Sequence, residues 1–131
     1  MTAAFCDSSV LIRYFAGDDI ARAAAAALID SDTRVVLSTA VIVETAHVLR
    51  RLYGFADQRI ASLLLRFLSR TNVEVADADK AGVIAAITSI RGSSRRVPDA
   101  LIVMAAQQSR VDFIATLDEK LTSPLLQVRM L

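Results

Sequence analysis

Among its 131 residues the chain has one cysteine, one histidine and only two lysines. Cys6 has no second thiol to pair with, so an internal disulfide is excluded and a reducing compartment fits. With so little cysteine and histidine there is no cluster to hold a soft metal. The opening, MTAAFCD, lacks the basic and apolar regions of a signal peptide. No apolar stretch reaches the roughly 18 residues that a membrane span needs, so a cytoplasmic location is expected. An excess of one charge is also missing. Fifteen basic residues face fourteen acidic ones, a net charge of +1, so any nucleic-acid binding must come from local patches.

What is present is apolar. Hydrophobic residues make up 54% of the chain and charged residues 22%, which argues against disorder and for one compact domain over residues 1–131. A chain of this length buries roughly two-thirds of its unfolded surface, and surplus apolar surface points to self-association or a permanent partner. Thirteen of the fifteen basic residues are arginine, whose planar fork suits bidentate phosphate contacts.

Helical and strand periods alternate along the chain. A short apolar strand is expected over about 3–7, and an alanine-rich helix over about 19–30; no element is assigned between them. The β-branched run Arg34 to Leu37 reads as a strand, and Ser38 is placed to cap a helix from about Thr39 to Leu52 that Gly54 ends. The helix over about 57–70 has its core stripe at Ile60, Leu63, Leu64, Phe67 and Leu68, and leaves Leu65 off that stripe and exposed. Asn72 to Ala76 reads as a strand, and Asp77 or Asp79 as the cap of a helix to about Ile90. The loop RGSSRRVP follows, then a helix from about Asp99 to Ser109, a strand over about 112–116, a short turn of helix and a last strand near 126–130. This order predicts an α/β fold, a three-layer α/β/α sandwich with a central, mostly parallel sheet.

Four acids stand inside or beside apolar runs: Asp7 in FCDSSVL, Glu44 in VIVETAHVL, Asp99 in VPDALIVMAA and Asp118 in IATLDEKL. Burying an ionised carboxylate costs several kcal/mol or more unless a cation or hydrogen bonds offset it. Four such positions in one small chain suggest one shared cation, and all-oxygen donors favour Mg2+ or Mn2+. Asp7 and Asp118 fall at the carboxyl ends of expected strands, where open α/β sheets place ligands. Asp99 falls in the first turn of its helix beside Pro98. Glu44 shares a mostly apolar helix face with Ala40, Val41 and Val48, so its carboxylate is expected to point into a cleft.

The segments CDSSVLI, ETAHVL, PDALIVMAA and ATLDEKL resemble, in order and spacing, the four acidic motifs of PIN-domain nucleases. The resemblance covers essentially the whole chain, and its size and helix-rich layout are similar to the VapC ribonuclease toxins of toxin–antitoxin pairs. Two departures stand out. Ser8 follows Asp7 where the family often has threonine, and Leu121 occupies the place of an aromatic residue in the last motif. The resemblance implies a Mg2+- or Mn2+-dependent endoribonuclease with an RNA substrate and a cognate antitoxin. The apolar composition, with Leu65 off the core stripe, leads to an expected homodimer formed through the helices between Ala40 and Arg70.

In such a site Asp7, Glu44 and Asp99 are expected to ligate metal directly or through water, and Asp118 to complete the set or orient the attacking water. Ser9 and Thr116 are expected to hydrogen-bond the carboxylates, and Arg95 and Arg96 to contact RNA phosphates. Plainer roles stay open. Asp7 can simply end a strand, Asp99 or Asp118 can simply cap a helix, Arg95 and Arg96 can form a solvated loop, and His47 can be a partly exposed helix residue. Two other functions stay open as well. One is a non-catalytic interaction module on the same fold; the other is a phosphoacceptor receiver domain, against which Lys120 follows Asp118 too closely.

Overall fold

The computed structural model describes residues 2–131. Strand β1 (Ala3–Phe5) leads into α1 (Ser8–Ala16) and α2 (Asp19–Ile29); β2 (Arg34–Leu37) leads into α3 (Thr39–Arg51) and α4 (Asp57–Leu68). Strand β3 (Val73–Val75) is followed by α5 (Lys80–Thr88) and α6 (Val97–Gln108), and β4 (Phe113–Thr116) and β5 (Gln127–Met130) close the order. The strands are short and each helix carries at least two buried side chains, so the fold is α/β as expected.

All strand pairings are parallel. β2 lies between β1 and β3, with Phe5 opposite Val36 and Leu37 opposite Val75. The expectation of one central sheet is met only in part: β4 and β5 pair with each other in a separate two-stranded sheet. The reason lies in α6, which is apolar around most of its circumference. Val97, Ala100, Leu101 and Met104 join the main core, while Val103 turns to a second small core with Ile114 and Leu121. Leu121 is thus a core residue of this second cluster.

One helix has no counterpart in the sequence reading. Residues 8–16 form α1, capped by Asp7, which accepts a hydrogen bond from the Ser9 amide. Leu11 is buried, and Tyr14 and Phe15 pack against the core one turn further on, the spacing of a helix face. Tyr14, Phe15 and Phe67 meet with ring centroids 5.6–6.3 Å apart.

Other expectations need correction. Asp79 is the residue before α5, but its side chain makes no capping bond. Asp77 accepts from the amide and hydroxyl of Thr39 instead, tying the end of β3 to the start of α3. Lys80 turns back to donate to the carbonyls of Arg70 and Val73. Leu65 is half-buried against the main core rather than exposed, and the segment after β4 is a turn rather than helix. α6 begins at Val97, two residues earlier than expected, because Pro98 enters its first turn without needing an amide partner.

Phe67 is 1% exposed and carries the aromatic contacts between α4 and α1. Phe67→Ala is expected to lower unfolding free energy by about 3–5 kcal/mol in denaturant titrations, the usual cost of emptying a core aromatic site. A loss under about 1 kcal/mol would mean that this junction is not tightly packed.

Candidate metal and nuclease site

The parallel strands bring polar residues to one edge by a simple rule: side chains just past the carboxyl ends of strands face the space where helices begin. Asp7 stands two residues after β1, Ser38 and Thr39 directly after β2, Asp77 two residues after β3 and Asp118 two residues after β4.

Asp7 is held by its own neighbour. Ser9 donates to its Oδ1 twice, from the hydroxyl at 2.5 Å and from the amide at 3.0 Å. The hydroxyl bond is the largest reason that the carboxyl stays below its ordinary range, even though it is exposed. Asp7 also helps to hold the neighbouring Cys6 thiol protonated, after burial, which is the larger cause.

Asp118 is fixed by the turn that follows β4. It accepts from the Lys120 amide at 2.9 Å, and its own amide donates to the Thr116 hydroxyl at 2.9 Å. Thr116 thus orients the backbone of Asp118 rather than its carboxylate.

Asp99 is the unusual acid. Its carboxyl is raised above the ordinary value, first by burial and then by the negative charge of Asp118; the Arg96 amide and the charges of Arg96 and Arg95 pull the other way. Two carboxylates from different elements, one on α6 and one after β4, therefore repel each other across a partly desolvated space. That repulsion marks a place where a cation is favoured.

Glu44 is exposed on α3 at the rim of a groove of about 580 Å3 between α3 and α6, lined with Val43, Leu101 and Ile102. The expected cleft exists, but Glu44 stands at its mouth. Asp99 lies on the other side of Pro98, in a neighbouring cavity, and His47 lines both spaces. Arg95 and Arg96 diverge from their shared loop. Arg96 turns into the cavity with Asp99, while Arg95 turns toward α5, where its Nη1 donates to the Ser89 hydroxyl and its Nε is buried without a partner.

Among the described residues no three Asp, Glu, His or Cys side chains stand close enough to hold one metal ion. Asp99 feels the charge of Asp118, but Asp7 and Glu44 are not gathered with them into a ligand set. Sequence reasoning passed over Asp77, Arg50, Arg51 and Asp57. For Arg50 and Arg51 a signal was present: they follow His47 by three and four residues and so share its helix face.

The sequence matches the PIN domain family over residues 4–124. The chain belongs to the PIN-domain family. Members are typically nucleases and generally use divalent metals, and the alternation of parallel strands and helices agrees with that fold. A comparison with curated proteins gave no significant match. No helix among the described residues is long and apolar enough to cross a membrane.

The donor chemistry of this PIN domain fits a hard divalent cation: the acids offer only oxygen, and Asp99 and Asp118 repel each other without one. The sign of that repulsion sets a test. Because the folded state raises the Asp99 carboxyl above its unfolded value near 3.8, ionised Asp99 costs stability at neutral pH, and the cost vanishes once the pH falls below both values. Asp99→Asn is therefore expected to melt higher than wild type at pH 7 in chelator, with the gap closing toward about pH 3. A variant that melts lower at pH 7 would show that Asp99 is stabilised by its surroundings rather than strained by them.

Proposed function

We propose that this PIN domain is a Mg2+- or Mn2+-dependent endoribonuclease of the VapC type, the toxin of a toxin–antitoxin pair, acting in the cytoplasm and held inactive by a cognate antitoxin. The observation that carries the reading is the placing of Asp7 and Asp118 two residues past the ends of β1 and β4, with Asp99, whose carboxyl is raised by burial and then by the charge of Asp118, in the first turn of α6. Family membership supplies the reaction class, and the order and spacing of Asp7, Glu44, Asp99 and Asp118 supply the toxin-like pattern.

In this reading Asp99 and Asp118 hold the metal, with Asp7 and Glu44 reaching it through water. When bound, a divalent ion activates water and offsets charge on the scissile phosphate. The chain's own residues do the positioning. Ser9 fixes the rotamer of Asp7 through its two hydrogen bonds. The Thr116 hydroxyl fixes the turn that presents Asp118, and the start of α6 presents Asp99 next to Arg96. Burial around Asp99 keeps its carboxylate poorly solvated, so its interaction with a cation is stronger than in bulk water.

Self-association fits the apolar surface. Leu52 and Tyr53, at the end of α3, are 77% and 49% exposed, and both lie in the stretch expected to form a homodimer. Sedimentation is expected to give a dimer at tens of micromolar, about tenfold above a micromolar dissociation constant. A monomer there would remove the dimer from the account.

The function is tested by incubating single-stranded RNA with the protein and Mn2+, with and without chelator. Cleavage should depend on the metal. Asp7→Asn and Asp99→Asn should each lower the rate by orders of magnitude while circular dichroism stays unchanged, since each removes a charge and almost no volume. A folded Asp99→Asn protein that cleaves at near-normal rate would overturn the assignment.

A further inference from the structure

Beside Asp99 lies a cavity of about 330 Å3 lined by three guanidinium groups, those of Arg50 and Arg51 at the end of α3 and Arg96 at the start of α6. Among the described residues one other acid lines it. Asp57, in the first turn of α4, receives Arg50 Nε on Oδ1 at 3.3 Å and faces Arg96 Nε across 4.0 Å on Oδ2. Among the described residues no carboxylate pairs with Arg51; its Nη1 lies 3.4 Å from His47 Nε2, and because a guanidinium can only donate, the imidazole accepts there. Among the described residues no hydrogen bond is made by the Nη groups of Arg50 or Arg96, and both side chains are partly exposed, so those donors remain free for a ligand in the cavity they line.

A single carboxylate bridging two arginines, with a third arginine unpaired beside them, is the arrangement an oxyanion of greater charge and more oxygens can take over. We propose that this cavity holds a backbone phosphate of the strand whose neighbouring phosphate is cut at Asp99 and Asp118, and that Asp57 is an internal stand-in which that phosphate displaces. The inference rests on the nuclease reading for the identity of the strand, and on the cavity alone for its chemistry. Arg50, Arg51 and Arg96 bind and orient the substrate; Asp57 keeps the arginines apart and ordered while the site is empty.

The experiment measures anisotropy of a labelled single-stranded oligouridine in chelator, across a salt series, so that binding is read without cleavage. Arg50→Ala with Arg51→Ala should weaken binding and flatten the plot of log affinity against log salt by roughly 0.7, the loss of one neutralised phosphate on a single strand. Arg22→Ala with Arg66→Ala, which removes two charges from the α2 and α4 surface around Tyr14, should leave that slope unchanged. Asp57→Asn should bind several-fold more tightly, because the competing internal charge is gone. An unchanged slope in the Arg50 and Arg51 variant, an equal fall in the control, or no tighter binding by Asp57→Asn would overturn the proposal.

The two readings fail separately. If wild type cleaves RNA with Mn2+ but the slope does not move, the phosphate subsite falls and the nuclease stands. If the slope falls as expected but no cleavage occurs with any divalent metal, the subsite stands on a nucleic-acid-binding protein and the nuclease falls.

Discussion

The charge of Asp118 acting on the partly buried Asp99 carboxyl, second to burial in raising it, is the interaction on which the account of this molecule depends. Neither acid is adjacent to the other in sequence, and each is presented by a different element: Asp99 by the first turn of α6, Asp118 by the turn after β4. Bringing like charges together in a partly desolvated space lowers stability, and folded chains seldom retain such a cost without a compensating use. α6 makes the meeting possible because it serves two cores at once. Its Leu101 and Met104 face the main core and its Val103 faces the small core beneath β4 and β5, so the two sheets are fixed relative to each other through one helix.

A second electrostatic arrangement surrounds the first. The chain carries almost no net charge, yet Arg50, Arg51 and Arg96 share one cavity with Asp99. An acid pair that attracts a cation therefore adjoins a basic pocket that attracts an anion. A phosphodiester strand with a divalent ion satisfies both, which neither ligand does alone. Asp57 and Asp77 are different acids in kind: Asp57 balances arginines, and Asp77 is committed to the Thr39 amide and hydroxyl, whose hydroxyl bond keeps its carboxyl below the ordinary range.

Much of the fold was readable from residue order because the signals are local. Strand β2 matches its β-branched run residue for residue, and Ser38 caps α3 as its side chain suggests. α1 was missed because Val10, Ile12, Tyr14 and Phe15 favour strands as readily as a helix, and only the cap at Asp7 and packing against Phe67 decide between them. The separation of β4 and β5 from the other strands was not readable, since it depends on how α6 divides its apolar surface. At the site, the acids at strand ends could be placed along the chain, but which of them converge could not. That depends on tertiary geometry, which puts Asp99 within the influence of Asp118, leaves Glu44 on a groove rim, and sends Arg96 into the cavity with Asp99 but Arg95 to Ser89.

The most direct measurement is calorimetric titration of Mn2+ into the metal-free protein, followed by the same titration of Asp118→Asn. The account predicts saturable binding by wild type and binding at least tenfold weaker in the variant, equivalent to a loss of about 1.4 kcal/mol or more. Equal affinity in the two proteins, or no saturable binding by wild type, would contradict the claim that these two repelling carboxylates are held together for a metal ion.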